Sequence, residues 1–164
     1  MAPNLEYCFT MRGYVSKEHA LDLKAIKSGP HRIIVPITGG FIEGSGLKAE
    51  ILPGGADWLL MDPTTSVAHL DVRVQGRTAD GESIYVHYTG VLKIDEASAK
   101  VLHWSQDAKS TNYGDHEWFA GPIIETSSEK YKWVESSLFV AQGRWVVEDD
   151  GRQAVEYKIF KVTN

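Results

Sequence analysis

Apolar and polar residues alternate along most of this chain, and the alternation predicts strands. Near the N-terminus the odd positions carry Leu5, Tyr7, Phe9, Met11, Gly13 and Val15, while the even positions carry Glu6, Cys8, Thr10, Arg12 and Tyr14. A strand half-buried against a core requires that separation of faces. Further strands are predicted over residues 32–37, 41–52, 58–61, 69–76, 83–92, 118–125, 132–147 and 155–162. Helical pattern is scarce. Residues 16–28 fit a turn or two before Gly29 and Pro30 stop it, and residues 95–102 fit a short helix with Asp95 as N-cap and Glu96 in its first turn. Many evenly spaced strands with little helix predict an all-β fold: a closed antiparallel β-barrel of about eight strands with one or two short helices, or failing that a sandwich. No repeat or linker interrupts the pattern, so residues 1–164 are read as a single domain.

One hairpin can be taken to the level of register. Asp80-Gly81 admits a two-residue turn that sets Arg73 opposite Tyr88, or a three-residue loop, with Gly81 left-handed, that sets Arg73 opposite His87. Only the three-residue loop separates the faces. It puts His69, Asp71, Arg73 and Gln75 with Tyr85, His87 and Thr89 on a polar face, and Leu70, Val72 and Val74 with Ile84, Val86 and Tyr88 on an apolar one. Asp71, Arg73 and His87 are then cross-strand neighbours, an acid, a fixed cation and an imidazole that could move a proton and stabilise an oxyanion. The alternative is a solvated outer face whose charge pair contributes about 0–1 kcal/mol. Which face points into the barrel decides between them.

Residues 37–58 hold six of the fifteen glycines and end on Asp57-Trp58. Glycine at that density marks constrained strand ends and turns. Asp57 and Trp58 would place a carboxylate and an indole at a barrel mouth, or equally a turn cap and a core tryptophan. Along residues 132–143, an extended strand would put Trp133, Glu135, Ser137 and Phe139 on one face. A carboxylate flanked by aromatics has its pKa raised by desolvation, which suits a general acid or base; an exposed Glu135 is the simpler alternative.

Composition excludes several classes. Seventeen Lys and Arg against twenty-two Asp and Glu give a net charge of -5, with no basic block for nucleic acid. No apolar run approaches the roughly 20 residues of a membrane span, and the N-terminus lacks a secretory pattern. Cys8 is the only cysteine, which fits a reducing, cytoplasmic setting and a buried inert thiol. The six histidines show no HxH or HExxH spacing, so no metal site is expected. No GxSxG elbow occurs, and the glycines lack a phosphate-loop or dinucleotide context, so no cofactor is expected. Five Trp and seven Tyr could line a pocket for a flat ligand or simply build core.

Pro36-Ile37-Thr38-Gly39-Gly40, Glu43-Gly44, Leu52-Pro53-Gly54-Gly55-Ala56-Asp57-Trp58, Leu70-Asp71-Val72-Arg73, the hairpin over residues 78–86 and the stretch 131–143 together resemble domain-of-unknown-function family 3237. The similarity runs from Leu5 to Val162. The resemblance implies a small antiparallel barrel, often oligomeric, found in bacteria and fungi and mostly without assigned function. Some fungal members belong to specialised-metabolite pathways, including a chalcone-isomerase-type cyclisation. The family pattern more commonly has an amide where this chain has Glu135.

The resulting expectation is a cofactor-independent isomerase or cyclase that closes a phenolic enone by intramolecular addition. Arg73, with Arg32, would stabilise the oxyanion, and His87, Asp71 or Glu135 would handle the proton. Trp58, Tyr85, Trp118 and Trp133 would hold the rings, and Asp57 and Arg32 would also bind the substrate. The partner expected is a small aromatic substrate, with self-association as a homo-oligomer. A non-catalytic binding barrel, or a dehydratase or lyase, would use the same lumen.

Overall fold

The computed structural model describes residues 2–164. In chain order the strands are β1 (Asn4–Val15), β2 (Leu21–Ala25), β3 (His31–Gly44), β4 (Leu47–Asp62), β5 (Val67–Thr78), β6 (Ser83–Lys93), β7 (Trp118–Thr126), β8 (Phe139–Val147) and β9 (Gln153–Thr163). A short helix, α1 (Glu96–Leu102), follows β6, and a 3-10 segment (Glu129–Ser136) joins β7 to β8. The sheet runs β1-β9-β8-β7-β6-β5-β4-β3-β2, and pairing of β1 with β3 closes eight of the strands into an antiparallel barrel. β2 is the extra strand. It pairs with the first residues of β3, which lie beyond the reach of β1, so the wall splits there.

Alternation explains what fills the barrel. One end is packed solid by Ile42, Ile51, Ile84 and Ile124. It is stoppered by the 3-10 segment, whose Trp133 stacks on Phe9 at 5.8 Å between ring centroids, with both rings 6.2 Å from Phe139. The other end is covered by α1. Asp95 caps the helix by accepting the Ser98 N–H at 2.7 Å, as its position predicts. The Asp95 carboxylate also bonds the buried His116 at 2.5 Å, whose Nε2 lies 2.9 Å from the Thr111 hydroxyl. The Trp145 indole N–H donates to Ser98 Oγ at 3.0 Å. These bonds clamp the helix to the barrel rim without filling the space below it.

The 5–6 hairpin has the three-residue loop. Arg73 faces His87, the Gly81 N–H donates to the Thr78 carbonyl at 3.0 Å, and Gly81 lies at φ +86. Elsewhere the elements differ from the sequence reading. Residues 16–28 contribute a strand rather than helix, because β3 offers them a free edge. Residues 41–52 are a hairpin turning at Gly44, Ser45 and Gly46, not one strand. Residues 32–37 and 58–61 are pieces of the long β3 and β4, which continue through glycine bulges. Residues 132–136 are helical, so Trp133 and Glu135 do not share a strand face with Phe139.

Gly40 shows why a bulge here needs glycine. It lies at φ +139, and a Cβ on it would fall 1.9 Å from the Arg12 carbonyl oxygen of β1. Gly40→Ala should therefore cost about 3 kcal/mol through strain and backbone displacement. Denaturant unfolding checks this, and a wild-type midpoint would show that the β1–β3 closure does not depend on that close approach.

Candidate functional site

Beneath α1 lies a cavity of about 480 Å³. Its wall comes from inward rows of the strands: Ile33, Val35 and Ile37 of β3, Leu59 and Met61 of β4, Leu70 and Val72 of β5, Tyr88 of β6, Trp118 of β7, Trp145 of β8 and Tyr157 of β9. Lys17, Asp22 and His103 are exposed residues that also border it, and they mark its opening near the split between β1 and β2. A concave, largely apolar hollow with a few convergent polar groups is the usual form of a small-molecule site.

Asp57 is the carboxyl in the middle of that wall. It pairs with the inward residue Val72, is half-buried and lines the cavity. The strand arrives there through the bulge at Pro53, Gly54 and Gly55. Leu52 faces Gln75 and Ala56 faces Arg73, so four residue steps on β4 match two on β5. Without that slack Asp57 would sit opposite Leu70, about 7 Å nearer the open end. The bulge sinks the carboxyl into the barrel, a recognised use of such irregularities beside functional sites.

Burial pushes the Asp57 carboxyl up to about 7. Oδ1 accepts the Asp71 N–H at 3.1 Å, which opposes the rise; the Asp71 charge adds to it, and Arg32 weakly opposes it. Two phenols lie near. Tyr88 and Tyr157 meet edge-on at 5.1 Å, and the Trp118 indole N–H donates to Tyr157 Oη at 2.9 Å. Burial and the proximity of Asp57 raise both hydroxyls above the ordinary phenol value, so they stay neutral donors. Trp118 crosses the face of Gly143, where any Cβ would come within 2.5 Å of its ring. Trp145 packs on it at 4.6 Å.

The structure thus brings Asp57 and Trp118 into one cavity and places the other candidates elsewhere. Asp71, Arg73 and His87 do form a cluster: Arg73 Nη1 and His87 Nε2 lie 3.0 and 3.1 Å from Asp71 Oδ1. It stands on the outer face, however, with side chains 45, 41 and 29% exposed for Arg73, Asp71 and His87. Arg32, on the outward row of β3, donates to the Trp58 carbonyl, and the Arg73 guanidinium lies over the Trp58 ring at 5.5 Å. Tyr85 also faces outward, paired with Gln75. Trp133 plugs the opposite end. Glu135 carries the reverse of the expected shift: the Thr126 N–H at 3.0 Å and Lys132 at 2.9 Å hold its exposed carboxylate below the usual range. The sequence reading passed over Tyr88, Trp145 and Tyr157. Tyr88 had a visible signal, a lone hydroxyl on an otherwise aliphatic row. Trp145 and Tyr157 lie on β8 and β9, whose Asp150-Gly151 loop carries the same turn signal as Asp80-Gly81, with Gly151 at φ +84 and its N–H donating to the Glu148 carbonyl at 2.9 Å.

The family model described as a protein of unknown function (DUF3237) matches residues 3–162. The chain belongs to that family. It is 26% identical over 141 residues to PR-toxin biosynthesis cluster protein 7 of Penicillium roqueforti, covering 83% of this chain and 75% of that protein. Its fold matches the crystal structure of a conserved protein of unknown function from Rhodopseudomonas palustris with a TM-score of 0.81, at 22% identity and 99% coverage of both chains. An enzyme from Penicillium herquei shares the fold with a TM-score of 0.58, at 18% identity over 97% of this chain and 96% of that one. Among the described residues, no helix is long and apolar enough to cross a membrane.

The Asp57 carboxyl makes stability fall with pH. Between its unfolded value of 3.8 and about 7 the unfolded chain has lost a proton that the folded chain keeps. Stability is full below pH 4 and declines through pH 7, by about 4 kcal/mol in total from this group. Asp57→Asn should abolish the decline and leave the variant more stable than wild type at pH 8. Urea unfolding at pH 5 and pH 8 tests this, and parallel pH dependence in the two proteins would disprove the burial of that charge.

Proposed function

We propose that this protein is a cofactor-independent isomerase or cyclase acting on a phenolic enone, with Asp57 moving the proton. The observation that carries the proposal is a carboxyl poised near neutrality inside an apolar, ring-lined cavity. A proton-transfer group is most effective when its pKa lies near the working pH, where it is partly ionised and still a strong enough base to draw a proton from a phenol. The Asp57 carboxylate takes the phenolic proton of the substrate, and the phenolate oxygen adds to the enone β-carbon. The electron pair moves onto the carbonyl oxygen as an enolate. The protonated Asp57 then returns its proton to the α-carbon, so mass is conserved and the enzyme is restored.

Tyr88 and Tyr157 supply neutral donors for the enolate oxygen, of the kind worth about 3–4 kcal/mol each in known oxyanion sites. Holding the flexible enone folded for ring closure contributes further. The roles first given to Asp71, Arg73, His87 and Glu135 pass to these interior groups. Kinship with a fungal biosynthesis-cluster protein supports a place in specialised metabolism.

Incubation with a panel of hydroxychalcones, followed by loss of enone absorbance, tests the reaction. The expected kcat/KM rises with pH through an apparent pKa near 7. Asp57→Asn should lower it by about 10²–10⁴ and remove that limb, while Arg73→Met on the outer face stays near wild type. Binding without product above the uncatalysed rate would make the protein a carrier, and a product lighter by one water would make it a dehydratase.

A further inference from the structure

α1 ends in a turn that glycine ordinarily makes, and here a tryptophan makes it. The Trp104 N–H donates to the Val101 carbonyl and the Ser105 N–H to the Lys100 carbonyl, each at 2.9 Å. Those are the paired bonds of a Schellman stop, which requires a left-handed residue between them. Trp104 supplies it at φ +55. A bulky side chain in that region is strained and persists only where its surroundings hold it, and such positions gather at ligand sites. Among the described residues, the other non-glycine positions with positive φ are Lys24, Ser45 and Ser66, and none of these borders the cavity.

Trp104 does border it, half-buried beside Leu102 and the exposed His103. The turn that carries it is not free to swing. Its helix is fastened to the rim through Asp95, Ser98 and Trp145, and the Ala108 N–H donates back to the Ser105 carbonyl at 3.0 Å. Glycine would close the helix with less strain but would leave the rim open at this point.

We propose that Trp104 is a specificity-determining residue: its indole is a fixed wall at the cavity rim that limits the size of ring system admitted. The inference rests on the cavity's taking a planar aromatic molecule, but on no chemistry occurring there. Fluorescence titration of the intact protein with 2-naphthol, 9-phenanthrol and 1-hydroxypyrene, which carry two, three and four fused rings, measures affinity without turnover. Wild type should prefer 2-naphthol to 1-hydroxypyrene. Trp104→Gly and Trp104→Asn, both suited to the left-handed turn, should each shift that preference toward 1-hydroxypyrene by about tenfold or more. Trp104→Gly should also melt above Trp104→Ala, because both remove the indole and only glycine relieves the strain.

Unchanged preference in both variants would overturn the proposal, as would a wild type that binds 1-hydroxypyrene as tightly as 2-naphthol. An equal shift in Trp133→Leu, at the plugged end, would assign the effect to general loosening and overturn it too. Equal melting of the Gly and Ala variants would remove the strain on which it stands. If no phenol binds any variant or wild type, the ring-binding cavity falls with it. Selective binding without turnover would instead sink only the cyclase.

Discussion

A closed barrel offers each strand residue one of two destinations, and the depth at which a residue arrives is set by the register behind it. Both constraints converge on Asp57. Alternation sends it inward, and the bulge at Pro53, Gly54 and Gly55 sets it opposite Val72 instead of Leu70. At that depth it stands with Val72, Tyr88 and Tyr157 in the cavity wall, and desolvation displaces its proton equilibrium to about 7. The proposed proton transfer depends on that displacement. A carboxyl near the rim would be ionised at neutral pH but would be a weaker base, farther in proton affinity from the phenol it has to deprotonate.

The surroundings divide the work between the two sides of one wall. Outside, Arg32 bonds the Trp58 carbonyl, Arg73 covers the Trp58 ring, and the Asp71 N–H reaches the Asp57 carboxyl. Inside, the hydroxyls of Tyr88 and Tyr157 stay protonated because burial and the nearby carboxyl both oppose phenolate. The outer row therefore braces the backbone that carries the carboxyl, and the inner row surrounds it with apolar and aromatic side chains. Arg32 is tied to Trp58 and does not line the cavity, which limits how far its charge can draw the Asp57 pKa back down.

This arrangement also explains what could be seen in the sequence. Strand alternation and the Asp80-Gly81 turn are local signals, so the barrel class, the α1 cap at Asp95 and the Arg73–His87 register were legible. The side of the sheet that faces inward is a consequence of closure, which no single hairpin contains. Asp71, Arg73 and His87 were thus grouped correctly as neighbours, yet they occupy the far side of the strand from Val72. Glu135 was misplaced for a different reason: its apparent two-residue period falls in a 3-10 segment, where Thr126 and Lys132 stabilise its charge. The glycine cluster was recognisable as a constraint, but its purpose lies in contacts distant in sequence, such as Gly40 against Arg12.

The two ends of the barrel show how one fold can be both rigid and hollow. At the plugged end, Phe9, Trp133 and Phe139 pack ring against ring and continue the apolar core. At the other end, comparable aromatics stand against the wall instead of across it. Trp118 can lie flat there because Gly143 beneath it has no side chain, and its N–H is occupied by Tyr157 rather than by a group in the centre. A lid fastened by polar bonds at its edges, through His116, Thr111 and Ser98, covers this space without collapsing into it. The same helix also packs inward, with Val101 buried in the apolar core and Leu102 against it. Hydrogen bonds, which act at fixed distances and directions, hold the cover in place while leaving room underneath.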